Sequence, residues 1–337
     1  MRILLLTNMY PSAERPEYGI FVKRLGDALE ARGHVLDRAV LTASAPGRVR
    51  TPLKYAELLR RALAEHDRRP DVIYAHYLVP TGVLARTVAS RMDTPYVLTA
   101  HGTDVTNAER SRPVRVATHW AIARASAVIA VSRYLAGRID LPAGVPLQVI
   151  DCGVDTQRFT PADATGREGG PRYLFIGSLT ERKNPGRLLE AFSRIDAGSL
   201  TIVGSGPLEA SLRAAANGRV RFTGRLDADG VAAELAAADV VCQPSLEEAQ
   251  GQVVLEALAC GRPVVATTVG GPAELVTPDC GVLVDPLDIG SIAAGMRAAA
   301  EFAVPCPAAV EVARRHDIRL QAERVEAVLA AAVAGRR

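Results

Sequence analysis

Glu248 and Glu256 are two carboxylates eight positions apart in the stretch PSLEEAQGQVVLEALACGRP. Gly251, together with the proline and serine that open the stretch, favours a loop around Glu248. Residues 252–260 contain no helix breaker and Gly261 is a helix stop signal, so they predict a helix that carries Glu256. The rest of this helix is almost entirely apolar, so Glu256 needs a hydrogen-bonding partner. That partner is either the protein itself or the hydroxyl groups of a bound ligand.

The continued pattern P-S-x-x-E-x-x-G-x-x-x-x-E-A-x-A-x-G-x-P-V-V-A resembles the E-x(7)-E signature of the family 4 glycosyltransferases, which are retaining enzymes with the GT-B fold. Gln250 departs from the family pattern, which usually has an aromatic residue at this position, most often Phe. The resemblance implies that Glu256 holds ribose hydroxyls and that Glu248 contacts the donor sugar. It also implies that the helix start at Gly251 and Gln252 presents backbone amides to a diphosphate.

Length and composition indicate two globular domains. The 337 residues fit two domains of about 150 residues each, and 48% of them are apolar. No apolar run reaches the ~18 residues of a membrane span, and the first residues predict a strand rather than a secretory signal. Five widely spaced cysteines predict reduced thiols in a cytoplasmic protein, and six scattered histidines predict no metal cluster. The net charge of +3 is too small to indicate nucleic-acid binding.

Short apolar segments alternate with helix-like segments along the whole chain. Strands are predicted at 2–7, 35–41, 71–75, 96–100, 127–131, 147–150, 172–176, 199–203, 220–222, 240–242, 264–267 and 281–284. Helices are predicted at 19–32, 52–66, 79–91, 112–125, 132–139, 185–194, 207–217, 230–237, 252–260 and 291–302. This alternation predicts an α/β protein with doubly wound, Rossmann-like parallel sheets.

The polar, Pro/Gly-rich residues 161–171 are predicted to link two domains. Residues 1–160 then form the first Rossmann-like domain and residues 172–317 the second. The resemblance implies that the two domains face each other across a cleft, as in the GT-B fold. It also implies that a final helix within 318–337 crosses back to the first domain. By the same resemblance, the first domain binds the acceptor and the second binds the nucleotide-sugar donor.

Two motifs of the first domain follow predicted strands, where α/β sheets bind their ligands. Gly19 precedes a helix and would let backbone approach a phosphate; the alternative is an ordinary turn glycine. The sequence His101-Gly-Thr-Asp resembles a family motif, which implies a sugar-positioning role for His101 and a supporting role for Asp104. His76 is left as a structural or acceptor-side residue. Cys152 stands where the family usually has Asn, in a segment whose expected role is interdomain.

Two loops of the second domain resemble donor-binding segments of the family. In the first, Lys183 and Arg182 follow a strand, and a cation there would neutralise the leaving diphosphate. Ser178 stands where the family frequently has Arg. In the second, Gly270 and Gly271 precede a short helix, which resembles the family's G-G-x-x-E and implies backbone amides near the donor. For Lys183 in the first loop, the alternative is a side chain that is exposed to solvent and binds no ligand.

Two further patterns resemble cofactor or metal motifs but are assigned otherwise. The G-x-G of Gly204 and Gly206 lacks the third glycine of a dinucleotide fingerprint, so it predicts a tight strand-to-helix turn or the family's G-x-G-P segment. Asp227 and Asp229 form a D-x-D just before a predicted helix. Because Asp is a preferred helix cap, capping is favoured over metal binding.

The sequence therefore predicts a retaining, metal-independent glycosyltransferase that uses a nucleotide-diphosphate sugar and no other cofactor. Its acceptor would be a carbohydrate, a lipid-linked molecule or a small molecule. One alternative is a sugar-nucleotide epimerase with the GT-B fold. A second is a catalytically weakened sugar-nucleotide-binding protein, in which Ser178 and Gln250 mark the loss of activity. A third, a periplasmic solute-binding protein, is disfavoured because no signal segment is evident.

Two basic segments lie in the first domain. Residues 48–69 carry seven Lys or Arg against three acids, and residues 110–124 carry four Arg and no acid. The helix at 52–66 is predicted to place Leu53, Ala56, Leu59 and Leu63 on one side. Such a helix either buries that side in the domain or contacts an anionic membrane reversibly, at the inner face of the cell membrane.

Overall fold

The computed structural model describes residues 1–42, 51–163 and 169–335, without the side chain of Thr51. The chain divides into two compact units. The first comprises Met1–Cys152 and Ile318–Arg337, and the second comprises Gly153–Asp317. Each unit is built around its own parallel sheet.

Each sheet has six strands within the described residues. The strands of the first unit are β1 (Arg2–Tyr10), β2 (Val35–Thr42), β3 (Val72–His76), β4 (Tyr96–Ala100), β5 (Ala127–Ala130) and β6 (Leu147–Val149). Those of the second are β7 (Arg172–Ile176), β8 (Ser199–Val203), β9 (Val220–Gly224), β10 (Val240–Gln243), β11 (Val264–Thr267) and β12 (Gly281–Val284). The strand orders are β2-β1-β3-β4-β5-β6 and β12-β11-β10-β7-β8-β9. All of the pairings are parallel, and most of the central strands are buried along their whole length, as expected for sheets covered on both faces.

Helices connect the strands. They are α1 (Ile20–Ala31), α2 (Thr51–Ala64), α3 (Thr81–Met92), α4 (Thr103–Arg110), α5 (Arg112–Ile122), α6 (Arg133–Ala136), α7 (Pro185–Ser193), α8 (Glu209–Ala215), α9 (Ala228–Ala237), α10 (Gln252–Ala259), α11 (Pro272–Leu275), α12 (Ile289–Ala299), α13 (Pro307–Arg315) and α14 (Ile318–Ala334). Helix α14 packs on α1, β3 and β4 through buried Ala322, Val325 and Leu329. The predicted crossing of the last helix to the first domain is therefore confirmed, as is the two-domain Rossmann-like architecture.

The predicted strands agree with the structure to within a few residues, but two helices were not predicted. Helix α4 begins within the His101-Gly-Thr-Asp motif, at Thr103. It was not predicted because its Thr and Asn residues are weak helix formers. Helix α13 was not predicted either, although its buried residues Ala309 and Ala313 are spaced one helical turn apart. They join the core that buries α10.

The boundary between the units lies earlier than the predicted end of the first domain at residue 160. Val154 forms a parallel bridge with Asp317, and Phe159 is buried with Val154 in the core of the second unit. Residues 153–160 therefore belong to the second unit. The described ends of the predicted linker 161–171 also lie in that unit, while its residues 164–168 lie outside the described residues.

All five cysteines are buried and none forms a disulfide bond, as the sequence predicts; all five lie within the described residues. Within the described parts of the chain, no helix is long and apolar enough to cross a membrane.

Candidate functional site

The segment that carries both motif glutamates runs from the end of β10 into α10. Glu248 lies in the loop, as predicted, and Gly251 ends that loop in the left-handed conformation (φ 90°). Helix α10 begins at Gln252, so its first backbone N–H groups lack intrahelical partners and face the loop. Glu256 lies one turn further on and is 7% exposed. The loop therefore ends on a helix N-terminus, where open N–H groups and the helix dipole favour negative charge.

Lys183 forms an ion pair with Glu248 in this loop, through its Nζ and the carboxylate oxygen Oε2. The two side chains are only 15% and 16% exposed, so water screens the pair weakly. Arg182 lies farther away, with its Nη1 at 3.8 Å from the same oxygen, and is 55% exposed. The sequence predicts a cation of this loop beside the leaving diphosphate, with solvent exposure as the alternative for Lys183. The structure shows Lys183 largely buried and in direct contact with a motif glutamate.

The environment of Glu248 keeps it ionised. Burial pushes the pKa of its carboxyl group upward, but the charges of Lys183 and Arg182 and the hydroxyl of Ser245 outweigh that effect. The pKa of Glu248 is therefore lower than its ordinary value. At neutral pH Glu248 is a carboxylate that accepts hydrogen bonds, rather than an acid that donates a proton.

The predicted glycine pair packs directly on the glutamate loop. Gly270 bridges to Glu248 and has φ 111°, and a Cβ built on it would lie 1.9 Å from the backbone oxygen of Glu248. Gly271 donates its N–H to that oxygen at 2.9 Å, and its own Cβ would lie 2.6 Å from the backbone oxygen of Ala249. Both positions therefore require glycine to hold the loop in place, whether or not their amides also meet a ligand.

Asn184 is a buried residue of this region that the sequence analysis missed. Its Nδ2 donates to the backbone oxygens of Pro244, at 2.9 Å, and of Pro286, at 2.7 Å. It thereby joins the loops that follow β7, β10 and β12 and fixes Lys183, its neighbour in the chain. The Asn-Pro pair at 184–185 is a turn signal that pointed to this position.

Gln252 and Gln250 form a hydrogen-bonded chain at the start of α10. Gln250 Nε2 donates to Gln252 Oε1 at 3.4 Å, and Gln252 Nε2 donates to the backbone oxygen of Gly153 at 2.8 Å. Gln250 is 8% exposed, so the residue that departs from the family pattern is built into the fold.

The glycines of the G-x-G turn have a steric role. A Cβ on Gly204 would lie 1.9 Å from the backbone oxygen of Gly177, and one on Gly206 would lie 2.4 Å from that of Leu179. The turn thus packs on the loop that leads to Lys183, which agrees with its prediction as a tight strand-to-helix turn.

The two aspartates of the D-x-D have partners within the protein. Asp227 caps α9 by accepting the N–H of Gly230 at 2.8 Å, as predicted. Asp229 lies in the first turn of α9 and pairs with Arg158 at 2.5 Å. Within the described residues, no group of three or more His, Cys, Asp or Glu side chains is placed to hold a metal ion.

In the first unit, Gly19 is the residue before α1 and has φ 71°. A Cβ at this position would lie 2.4 Å from the backbone oxygen of Met9. Close packing against the end of β1 is therefore sufficient to explain this glycine.

His101 follows β4 and lies in a cluster of rings. Its Nε2 is 2.9 Å from Nδ1 of His76, at the end of β3, and its Nδ1 is 3.8 Å from Sγ of Cys152. The rings of Phe21 and Tyr77 lie 4.9 and 4.8 Å from the His101 ring. The sequence analysis left His76 as a structural or acceptor-side residue and gave the segment of Cys152 an interdomain role, because nothing in their spacing showed that both contact His101.

Asp104 supports the turn after β4. It is 3% exposed, and its carboxylate accepts backbone N–H groups from Leu78 at 2.9 Å, Gly102 at 2.9 Å, Val105 at 3.1 Å and His101 at 3.2 Å. Burial raises its pKa, and these hydrogen bonds oppose that rise. Asp104 thus holds the backbone of His101 and ties it to the loop after β3.

A groove of about 1010 Å³ lies elsewhere in the first unit, between α14 and the strands β4 to β6. Its wall includes Pro95, Ser126 and Pro146, which precede these strands. It therefore opens at the amino ends of the strands, whereas His101 and Gly19 lie at the carboxyl ends.

Two family models match this chain. A model described as "Glycosyl transferases group 1" matches residues 170–301, and one described as "Glycosyltransferase Family 4" matches residues 11–158. Together they span most of both units.

Relatives and solved structures agree with these models. A putative teichuronic acid biosynthesis glycosyltransferase, TuaC of Bacillus subtilis, is 29% identical over 87% of this chain and 87% of its own. A GDP-mannose-dependent alpha-(1-6)-phosphatidylinositol monomannoside mannosyltransferase of Mycobacterium tuberculosis is 29% identical with the same coverage. Sucrose-phosphate synthase from Thermosynechococcus elongatus has a TM-score of 0.82 at 22% identity, over 97% of this chain and 98% of its own. Anabaena HepE in complex with UDP-glucose has a TM-score of 0.78 at 22% identity, over 98% and 99%. The two structures show a shared fold.

Proposed function

The chain is a glycosyltransferase of family 4, which moves a sugar from a nucleotide-diphosphate sugar to an acceptor hydroxyl with retention of configuration, and we propose the roles of its residues in that transfer. The observation that carries the proposal is the Lys183–Glu248 ion pair, in the loop that ends at the open N-terminus of α10. The cation and the backbone N–H donors are complementary to the diphosphate of a nucleotide-diphosphate sugar, and the carboxylate is complementary to its hydroxyl groups.

In this proposal, Glu256 accepts hydrogen bonds from the ribose hydroxyls and Glu248 accepts them from the sugar. Lys183 and the first amides of α10, at Gly251 and Gln252, stabilise the negative charge that develops on the departing diphosphate. Arg182 and the amide of Gly270 contribute to the same anion site, whereas the amide of Gly271 donates to the backbone oxygen of Glu248 and has a supporting role. His101 positions the sugar from the first unit, while Gly19 and Asp104 shape the backbone there.

We propose that Glu248 does not form a covalent bond to the sugar. Its carboxylate is held by Lys183, which lowers its basicity and directs it toward hydrogen bonding. In the same-face attack typical of the family, the leaving phosphate takes the acceptor's proton, so no protein base is required. This distinguishes the site from that of a retaining glycosidase, in which one carboxylate is the nucleophile.

The first test is a thermal-shift screen with UDP, GDP, ADP and TDP sugars, followed by a product assay with the donor that stabilises the protein. We expect one nucleotide class to raise the melting temperature and its sugar to be transferred, because a ligand that binds only the folded state stabilises it. Binding without any turnover would favour the weakened sugar-nucleotide-binding protein. Interconversion of donor sugars without transfer would favour the epimerase.

We also propose that the transfer is independent of metal ions. Asp227 and Asp229, the one D-x-D in the sequence, are engaged in a helix cap and an ion pair. We expect the transfer rate to persist in EDTA, because Lys183 and helix amides supply the positive field that a metal would otherwise supply. Loss of activity in EDTA that is restored by Mn²⁺ or Mg²⁺ would overturn this.

For the acceptor, we propose a carbohydrate or lipid-linked molecule of the cell envelope, bound at the carboxyl edge of the first unit. The relatives named above include a teichuronic acid enzyme and a phosphatidylinositol monomannoside mannosyltransferase. Such an acceptor would bring the protein to a membrane surface.

Reversible membrane contact is part of this proposal, but α2 does not have the apolar side that was predicted for the helix at 52–66. In α2 the buried residues are Leu58 and Ala62, and Leu53 is 70% exposed rather than part of a buried side. Glu57 pairs with both Arg60 and Arg61, which reduces the positive charge of this helix. Residues 48 and 50 of the basic segment lie outside the described residues.

Helix α5 is a stronger candidate than α2 for contact with a membrane. Val116 is 63% exposed and Trp120 is 43% exposed, beside exposed Arg112 and Arg115. We expect co-sedimentation with anionic liposomes at low salt and release at high salt, since each cation contributes about 1 kcal/mol near such a surface. An Arg112→Gln/Arg115→Gln variant should bind less. No sedimentation of the unmodified protein at low salt would remove the membrane proposal and favour a water-soluble acceptor.

A further inference from the structure

His76 is a buried histidine whose side chain reaches the proposed sugar-positioning residue. It closes β3, is 1% exposed, and has Nδ1 at 2.9 Å from Nε2 of His101. The Tyr74 ring packs on the His76 ring at 4.6 Å, and the planes of the two hydrogen-bonded imidazole rings differ by 22°. His76 is therefore held in one orientation toward His101.

Both imidazoles are neutral at physiological pH. Burial lowers the pKa of His101 to about 3. Burial, together with His101, lowers the pKa of His76 well below its ordinary value. Two neutral imidazoles joined by one hydrogen bond share a single proton along it, so one ring donates and the other accepts. The direction of this bond decides which nitrogen of His101 carries its own proton.

The surroundings of the other nitrogen of His76 favour one direction. Nε2 of His76 is buried and has no hydrogen-bond partner among the described residues. Buried N–H groups without an acceptor are rarer than buried acceptors with an unused lone pair. Nε2 is therefore the unprotonated nitrogen, and the proton of His76 lies on Nδ1, from which it is donated to Nε2 of His101.

This direction has a consequence for His101. Because its Nε2 accepts from His76, its own proton must lie on Nδ1. That nitrogen points toward Cys152, whose Sγ is 3.8 Å away, a weak contact that a better acceptor can replace. Phe21 and Tyr77 flank the ring and restrict its rotation.

We infer that His76 is a positioning residue that holds His101 in the Nδ1–H tautomer, so that His101 offers a hydrogen-bond donor to the sugar. The inference rests on the proposed sugar-positioning role of His101. It assigns to His76 a selection for sugars that carry an oxygen at this point, which can accept the hydrogen bond, over deoxy sugars, which have no acceptor there.

The tautomer is measured on the full chain labelled with 15N-histidine, through two-bond 1H–15N correlations of each ring. The unmodified protein is expected to show His101 protonated on Nδ1. His76→Phe keeps a ring against Tyr74 but removes the donor, and should abolish this pattern. His76→Asn places an amide N–H near the position of Nδ1 and should restore it. The exposed His66 serves as an internal reference that neither variant changes.

Steady-state kinetics then connect the tautomer with transfer. We expect His76→Phe to lower kcat/KM about tenfold, equivalent to one lost hydrogen bond, and His76→Asn to remain within about threefold. Circular dichroism confirms that both variants are folded. Equal losses in both variants would show a merely structural role and overturn the inference.

The spectrum also separates this inference from the proposed function. A His101 protonated on Nε2 in the unmodified protein, or a pattern unchanged in His76→Phe, overturns the role of His76 even if the enzyme is active. Absence of turnover with every donor would contradict the residue roles proposed above, whereas the tautomer of His101 would still decide what His76 does.

Discussion

Replacing Lys183 with methionine is expected to lower kcat by about 100- to 1,000-fold, the loss typical when one preorganised group aimed at developing charge is removed. Lys183 is 15% exposed and is held against Glu248, so its charge acts in a weakly screened environment. Steady-state rates with saturating donor measure the effect. Lys183→Arg keeps the positive charge but replaces the compact ammonium group with a planar guanidinium group, and should recover part of the rate.

A matched control separates this effect from a general change of charge. Arg194 lies in the same unit, is 52% exposed and pairs with Glu190 on the surface. Arg194→Met removes one positive charge just as Lys183→Met does, but it should change kcat less than twofold, because exposed ion pairs contribute little. Equal losses in the two variants would contradict the assignment of Lys183.

The same substitution has a pH-dependent effect on stability. In the unmodified protein, the pKa of Glu248 is lower in the folded state than its ordinary value of 4.5, so its ionisation stabilises the fold at pH values above 4.5. This contribution is lost as the pH falls through the folded-state pKa. Without Lys183, burial raises the pKa of Glu248, so the ionised carboxylate destabilises the fold above pH 4.5. The deficit in the free energy of unfolding should be about 3 kcal/mol at pH 7 and much smaller at pH 4.

Urea unfolding at the two pH values measures this deficit. The double variant Lys183→Met/Glu248→Gln removes the unpaired charge and should recover most of the stability at pH 7, while its kcat stays low. Recovery of kcat together with stability would show that Lys183 only neutralises the buried charge of Glu248, and that neither charge takes part in the transfer.

The alternation of apolar segments was sufficient to predict the sheets, because buried parallel strands are nearly continuous apolar runs. Glu256 was placed correctly on α10 for a similar local reason: no breaker interrupts 252–259. Local patterns did not show α4, whose start depends on the carboxylate of Asp104 bonding to the backbone N–H groups around it.

Contacts between distant segments explain most of what the sequence analysis missed. Lys183 meets Glu248 across 65 positions, and His101 meets His76 across 25. Propensity and periodicity describe neighbours along a strand or helix and carry no information about which loops meet at the edge of a sheet. The unit boundary at Cys152 was missed for the same reason, since it depends on the bridge between Val154 and Asp317.

Glu256→Gln is expected to weaken donor binding by about 10- to 100-fold, with kcat at saturating donor changed much less. The carboxylate lies in the second turn of α10 and is 7% exposed, so a ribose hydroxyl bound to it would be shielded from water. A hydrogen bond to a charged group is worth about 1.5–3 kcal/mol, which corresponds to this range of affinity. Glutamine keeps the size of the side chain but removes the charge. Calorimetric titration with the nucleoside diphosphate measures the change directly.

The alternative for Glu256 is a buried carboxylate that serves only the fold, and the two roles predict different results. If Glu256 only stabilises the fold, the Glu256→Gln variant should have a lower free energy of unfolding and an unchanged affinity for the nucleotide. A ribose-binding Glu256 would lower the affinity for a nucleoside diphosphate more than the affinity for inorganic pyrophosphate, which has no ribose. Glu190→Gln, on the exposed face of α7, provides the matched loss of one carboxylate and should alter neither affinity. An unchanged affinity of folded Glu256→Gln for the nucleoside diphosphate would show that Glu256 does not bind the donor. The donor would then be bound through its diphosphate alone, by Lys183 and the N-terminus of α10.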